Sequence, residues 1–284
     1  MDTQVVKTFL EVALTGSFGH AASRLNVGQT TVSARIRKLE EQLGQTLFDR
    51  RKSGAELTLA GRQFLRLAPS FVQLGERLTR EVLNSTDHTS VLSIGFEVSL
   101  ARNWVISWLH WLRQNMPETA IHLKVDIPVD LIRRVSDGLL DAAIMHAPPH
   151  RSGITVEKLG EDHLAMYTTD SCIRSVQDPR FIYVDWGPVF AQEFRIRFPN
   201  FREGPVSIDF PPLAERYIMK HGGAAYGRQS VAKPYVEAKK IVLVQDAPRF
   251  AYPIYAVRPI GANIPHLDQA LSGLPAIRLD DQAV

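Results

Sequence analysis

Residues 17–61 read SFGHAASRLNVGQTTVSARIRKLEEQLGQTLFDRRKSGAELTLAG, and this stretch decides the fold of the chain's N-terminal part. Ser17 is a good N-cap for a short helix from Phe18 to Leu25, with Phe18, Ala21, Ala22 and Leu25 on one face. Asn26-Val27-Gly28 makes a tight turn. From Gln29 to about Gln42 a further helix is expected, because Val32, Ile36, Leu39 and Leu43 recur at spacings of four, three and four. Its other face carries Gln29, Thr30, Thr31, Ser33, Arg35, Arg37 and Lys38. Two short helices joined by a tight turn, the second polar and basic outside, form a helix-turn-helix, a unit that lays its second helix in the major groove of double-stranded DNA. The small pair Ala21-Ala22 lets the two axes come close. Leu47 to Thr58 then reads as a strand, a basic turn and a returning strand, a wing that presents Arg50, Arg51 and Lys52 to phosphates or a minor groove. Ser17, Gln29, Thr30, Thr31, Ser33 and Arg35 are the candidate readers of base edges and backbone, and Ser33 and Arg35 rank above Arg37 and Lys38.

On the N-terminal side, Val5, Val6, Phe9, Leu10, Val12 and Ala13 recur at helical spacing from Thr3, and Thr15-Gly16-Ser17 stops the pattern. On the C-terminal side a helix is expected from Thr58 to about Leu83. Phe64, Leu67, Phe71, Leu74 and Leu78 alternate three-and-four spacing along it, the seam of a coiled coil, and Pro69 removes one backbone donor within it. Such a seam pairs with a second copy of the chain or packs on its own domain. The polar run Asn84 to Ser90 lacks apolar periodicity and reads as a hinge.

The chain has 284 residues, a length for about two domains, with 45% hydrophobic and 22% charged residues as in ordinary globular proteins. Its net charge of +3 is unevenly placed. Residues 1–85 hold 12 Lys and Arg against 8 Asp and Glu, whereas the rest holds 21 against 22, so the surplus sits where a polyanion would be met. A single cysteine, Cys172, fits a reducing compartment, and no leader-like or membrane-spanning apolar run is visible, so a cytoplasmic protein is expected. No phosphate-binding loop, nucleophile elbow or dinucleotide turn occurs. His146 and His150 are separated by Pro148 and Pro149, which forbid a helix aiming both at one metal. The sequence therefore points to neither an enzyme nor a metal or cofactor protein.

Beyond residue 90 strands and helices alternate. Strands are expected at Val91–Phe96, Ala120–Val125 and Ala142–Met145, with helices at Ala101–Asn115 and Val129–Asp137 between them, a βαβ array on a largely parallel sheet. Phe181–Val184, Val189–Arg197, Val206–Phe210, Pro212–His221 and Ala224–Tyr226 suggest a second unit of the same kind. Ile254–Val257 and a helix near Ala262–Ser272 complete the chain. Trp104, Trp108 and Trp111 share a helix face at core spacing. Small ligands bind at the carboxyl ends of strands in such sheets, which singles out Ser99, Arg102, Pro128, His146, Phe210 and Arg228. Ser99 and Arg102 would suit an anionic effector; ordinary turn chemistry is the alternative for each residue.

The run Phe18-x-x-Ala21-Ala22-x-x-Leu25, Gln29-x-x-Val32-Ser33-x-x-Ile36-x-x-Leu39-Glu40-x-x-Leu43-Gly44-x-x-Leu47-Phe48-x-Arg50 and Leu57-Thr58-x-Ala60-Gly61 resembles the N-terminal signature of LysR-type transcriptional regulators. Many members carry Arg after the Ser33 match; here Ala34 stands there, with Arg35 next. Leu131-x-x-x-Val135-x-x-Gly138-x-Leu140-Asp141-Ala142-Ala143-Ile144 is similar to the family's effector-domain motif. Asp185-Trp186-Gly187-Pro188, Asp2-Thr3, Lys7-Thr8-Phe9-Leu10-Glu11-Val12 and Arg35-Ile36-Arg37 look closest to the branch of the H-NS-dependent regulator of the flagellar master operon. The resemblance implies an α/β protein with a winged helix-turn-helix (1–58), a dimerising linker helix and hinge (59–89), and a two-lobed effector domain like a periplasmic binding protein (90–284, with lobe I about 90–163 and 258–284, lobe II about 164–257). Implied partners are double-stranded DNA, further copies of the chain as a dimer or tetramer, a small-molecule effector, and RNA polymerase, with no membrane.

Overall fold

The computed structural model describes residues 1–51, 54–84, 90–100, 103–262, 264 and 266–276. Lys52 and Arg102, both singled out above, lie outside the described residues, as do the side chains of Arg50 and Arg51 and residues 85–89 of the expected hinge. The chain divides into two compact units, one formed by the N-terminal residues through Asp87 and the other by most of the residues from His88 on.

In the first unit, α1 (Thr3–Thr15) starts at Asp2, whose carboxylate accepts the Gln4 amide at 2.8 Å, and ends at Gly16 with φ 62°. The helix-turn-helix is α2 (Phe18–Arg24), capped by Ser17, and α3 (Gln29–Leu43). Val5, Val6, Phe9, Val12, Ala21, Ala22, Val32, Ile36 and Leu39 close one apolar core, as their spacing predicts. The wing is the antiparallel pair β1 (Phe48–Arg51) and β2 (Gly54–Leu57). Phe48 ties it to the core, its ring 5.1 Å from that of Phe9 and 5.9 Å from that of Phe18.

Helix α4 (Leu59–Asn84) runs through Pro69 without ending. Its expected seam is divided. Ala68 and Val72 are buried, and Phe64 and Phe71 pack with them on the core of their own unit, where Phe64 meets Phe9 edge-on at 4.9 Å. Leu67 and Leu78 remain 67% and 56% exposed, with Leu74 half-buried. The five residues therefore do not form one free seam, because α4 spends one stripe on α1; among the described residues Leu67, Leu78 and Val82 stand exposed on another stripe, with Leu74 half-buried between them.

The second unit is built on a seven-stranded sheet. Parallel strands β3 (Ser90–Glu97), β4 (Thr119–Asp126) and β5 (Ala142–His146) form one side, with α5 (Asn103–Asn115) and α6 (Pro128–Ser136) as crossovers. Two long strands, β6 (Ile154–Thr168) and, later in the chain, a strand over Phe250–Pro259, lie antiparallel to each other and join this side to the other. The other side holds β7 (Tyr183–Val184), α7 (Pro188–Arg197), β8 (Ser207–Ile208), α8 (Pro211–His221), β9 (Ala224–Arg228), α9 (Gln229–Glu237) and β10 (Val242–Leu243). The Phe250–Pro259 strand is β11, and α10 (Leu267–Ala276) follows.

The expected second unit is present: β7 pairs parallel with β8, and Phe181 just before β7 bridges parallel to Ala224 of β9, with α7 and α8 as the crossovers. β9 and β10 in turn pair antiparallel with β6. Trp104 and Trp108 are buried and Trp111 half-buried on α5, as core spacing predicts, and the Trp108 indole donates to Ala270 O at 2.9 Å, tying α5 to α10.

Candidate functional site

The first candidate site is the outward face of α3 with the wing beside it. Successive residues turn about 100° on a helix, so the side opposite Val32, Ile36 and Leu39 is made by Thr30, Ala34, Arg37 and Glu41, all exposed. Gln29, Thr31 and Lys38 are exposed beside them, and Ser33 is half-buried. No side chain caps α3 at Gly28; the Thr31 and Val32 amides bond Gly28 O, which leaves the Gln29 and Thr30 amides to face a phosphate. Arg35 is placed differently from its sequence ranking. It lies half-buried near the inward stripe, and its guanidinium donates to Thr8 Oγ1 of α1 at 3.2 Å. That bond holds α3 against α1, so Arg35 is not the free fork expected for guanine, and Arg37 is the basic side chain on the outward face.

The wing's position depends on two groups that carry no DNA-facing charge. Glu40 Oε1 accepts the amides of Leu47 at 2.7 Å and Phe48 at 3.3 Å, anchoring the wing's entry to α3. Gly16 O accepts the Ala55 amide at 2.7 Å, anchoring its return to the turn between α1 and α2. A Cβ at Gly54 would lie 2.5 Å from Gly16 O, so glycine is required where the two backbones meet.

The second candidate site lies in the C-terminal unit, where the end of β3, the end of β5, the middle of β6, the end of β9 and the start of β11 converge. It brings together Ser99, His146 and Arg228 from the sequence-derived set. Pro128 is half-buried at the start of α6 after β4, and Phe210 is partly exposed at the start of α8, lining a surface groove with Leu213 and Arg216. Neither joins the cluster. Five residues outside that set complete it: Glu97, Asp162, Trp186, Ser230 and Tyr252. Glu97 accepts from the Ser99 hydroxyl at 2.8 Å and from the His146 amide at 2.7 Å. The Tyr252 hydroxyl is 2.9 Å from Ser99 Oγ, its ring stacks on the His146 imidazole at 3.7 Å, and Trp186 meets that ring edge-on at 5.5 Å. His146 Nδ1 donates to Pro253 O at 2.9 Å, which fixes the proton on that nitrogen of the neutral ring.

Arg228, only 3% exposed, donates through Nε to Asp162 at 3.0 Å and through a terminal nitrogen to Ser99 O at 3.0 Å. Ser230 gives its amide and its hydroxyl to the same Asp162 carboxylate. The sequence pairs Ser99 with Arg102 for an anionic effector; the Ser99 hydroxyl is bonded to Glu97 within the protein, Arg228 is bonded to Asp162, and Arg102 lies outside the described residues.

The description "Bacterial regulatory helix-turn-helix protein, lysR family" matches residues 3–62, and "LysR substrate binding domain" matches residues 85–272. The HTH-type transcriptional regulator HdfR of Yersinia pestis (strain Pestoides F) is 30% identical over 269 residues, 90% of each chain. The chain belongs to the LysR family. This LysR-family regulator also shares its fold with two solved members. The crystal structure of CbnR is 20% identical with a TM-score of 0.70 over 97% of this chain and 99% of that one. Vibrio fischeri DarR, solved in complex with DNA, is 17% identical with a TM-score of 0.61 over 98% and 99%. The branch expected from the sequence is the one for which the Yersinia relatives are named.

In this buried cluster of the regulator, burial pushes the His146 imidazole below its usual range, and the nearby Arg228 charge acts the same way. The folded protein keeps this ring neutral while the unfolded chain takes up a proton below about pH 6.5, so stability is complete above that pH and falls as the pH drops toward the folded value. Burial raises the Glu97 carboxyl, with the opposite sign: its contribution is complete at low pH and is lost as pH rises through its raised value, offsetting part of the histidine effect. Tryptophan-detected urea unfolding between pH 5 and 7 is expected to show a positive stability slope that flattens in His146→Phe, which retains the ring stack. An unchanged slope in the variant would remove His146 from the pH response.

Proposed function

We propose that this LysR-family regulator binds duplex DNA site-specifically as a homodimer or homotetramer on an imperfect inverted repeat. Residues 1–58 act as the head, 59–89 as linker and 90–284 as the effector part. The observation that carries the reading is the exposed face of α3, with Thr30, Ala34 and Arg37 at its centre and no side chain capping its start, beside a wing held by Glu40 and Gly16. One such head contacts few base pairs, and a two-fold pair reads a longer site. The stripe Leu67, Leu74 and Leu78 supports pairing through α4. Acting in the cytoplasm with no catalytic step, the regulator would respond to a small molecule at the C-terminal cleft and alter promoter geometry or polymerase contact.

The test is a footprint on the DNA upstream of its own gene over a salt series. Arg37→Ala is expected to weaken specific binding by about 1–3 kcal/mol if it reads a base, or to lower the salt slope by about one if it meets a phosphate. Arg35→Ala is expected to lower the head's stability while leaving the footprint's sequence preference intact. Equal affinity for the upstream region and for random duplex would sink the proposal.

A further inference from the structure

The carboxyl end of β3 is a cradle of donors, and one carboxylate occupies it. Ser99 Oγ donates to Glu97 Oε1 at 2.8 Å, the Tyr252 hydroxyl lies 3.5 Å from the same oxygen, and the His146 amide donates to Oε2 at 2.7 Å. These donors reach both oxygens from three strand ends, the arrangement by which proteins hold a small free carboxylate. Glu97 is 9% exposed, and burial raises its carboxyl against the opposing pull of these bonds and of the Arg228 charge. The other charges in the cluster cancel, because Arg228 is spent on Asp162 and the His146 ring is neutral. An incoming anion would meet the Glu97 carboxylate with no uncompensated cation among the described residues of the cluster to receive it, Arg102 lying outside the described residues.

We infer that this cradle is a carboxylate-binding site filled by the chain's own Glu97, so that the cleft refuses external anions. Removing that side chain turns it into a site for a small monocarboxylate. The inference rests on reading the cleft as the effector region, and it narrows the effector to a neutral or cationic molecule. Glu97 supplies internally the negative charge that an anionic effector would bring, and the bonds it draws together, from Ser99 after β3, His146 at the end of β5 and Tyr252 on β11, hold the strand ends in their bonded arrangement.

Chemical rescue tests this on the full chain. Thermal unfolding, read by tryptophan fluorescence, is measured for the unaltered protein, Glu97→Ala and Glu97→Gln in sodium formate, sodium acetate and sodium chloride at equal ionic strength. Glu97→Ala is expected to melt lower in chloride and to recover saturably with formate, a hundredfold excess over its Kd shifting the folding equilibrium about a hundredfold. Adding Ser99→Ala to that variant is expected to weaken the recovery. The unaltered protein and Glu97→Gln, in which the space stays filled, are expected to give the same melting curves in formate as in chloride. A saturable formate shift in the unaltered protein, or identical curves for Glu97→Ala in formate and chloride, overturns the inference. Should Glu97→Ala fail to fold in chloride, refolding yield is compared instead: a higher yield in formate supports the cradle, and an equal yield overturns it. DNA affinity of the same samples is read separately. Rescue without any change in DNA binding would leave the cradle standing while removing its role as the effector region.

Discussion

Gly61→Ala is expected to destabilise the N-terminal unit by about 3 kcal/mol and to abolish specific DNA binding, although residue 61 lies on α4 and away from the outward face of α3. The reason is a close approach. A Cβ built on Gly61 would sit 2.1 Å from Leu47 O and 2.9 Å from Leu57 Cδ2, and the first of these is backbone that cannot rotate away. Leu47 O also accepts the Thr58 amide at 3.0 Å, while Thr58 Oγ1 caps α4 by accepting the Gly61 amide at 3.0 Å and donates to Thr46 O at 2.7 Å. Wing entry, wing return and the start of α4 therefore meet at one point, and a methyl group there forces all three apart. For a head of this size the cost corresponds to a fall in melting temperature of more than about 12 °C. The unit contains neither Trp nor Tyr, so helical circular dichroism and a footprint are the readouts. Gly19→Ala is the matched control: its Cβ finds nothing nearer than 3.7 Å on α2, and alanine is the better helix former. Equal stability of Gly61→Ala and Gly19→Ala would refute the argument.

The contrast between the two units shows what a sequence carries. The head was legible because its elements are local: Val32, Ile36 and Leu39 repeat at helical spacing, and Ala21-Ala22 marks the close crossing in only a few residues. Arg35 was misplaced because a wheel gives the angle of a side chain and not its partner; Thr8, which it reaches, lies 27 residues away. β6 escaped the reading for a different reason. Its first half is largely exposed and its second half largely buried, so the period of two that marks a half-buried strand never develops along Ile154–Thr168. Only the central part of β11 was visible. Asp162 and Tyr252 sit on those two strands, so the cleft was half-read: Ser99, His146 and Arg228 follow strand ends that the pattern shows, and their partners do not. Nor could the spacing reveal that the cleft's cation and hydroxyl are already bonded, since that depends on pairs more than 60 residues apart such as Arg228 with Asp162 and Ser99 with Tyr252.

Arg228→Met should have the largest effect of any single change in the C-terminal unit, about 3–5 kcal/mol, because it removes one partner of a buried ion pair and leaves the other charged. Both side chains are about 5% exposed or less, so water cannot replace the guanidinium at Asp162. The same substitution strips a donor from Ser99 O, the link between the end of β9 and the loop after β3. All four tryptophans, Trp104, Trp108, Trp111 and Trp186, lie in this unit, so their fluorescence in urea reports its stability alone. The decisive comparison is a double-mutant cycle with Asp162→Leu. If the penalty is the stranded charge, the double variant is expected to lose clearly less than the sum of the two single losses, and the residual reflects the unpaired Ser99 carbonyl together with the Ser230 and His163 donors that Asp162 accepts, at about 1–3 kcal/mol for each group left unsatisfied. If the two single losses simply add, the ion pair is not the source of the penalty, and the loss must come from other contacts of the guanidinium such as its stacking over the Tyr252 ring, with Cζ 5.8 Å from the centroid.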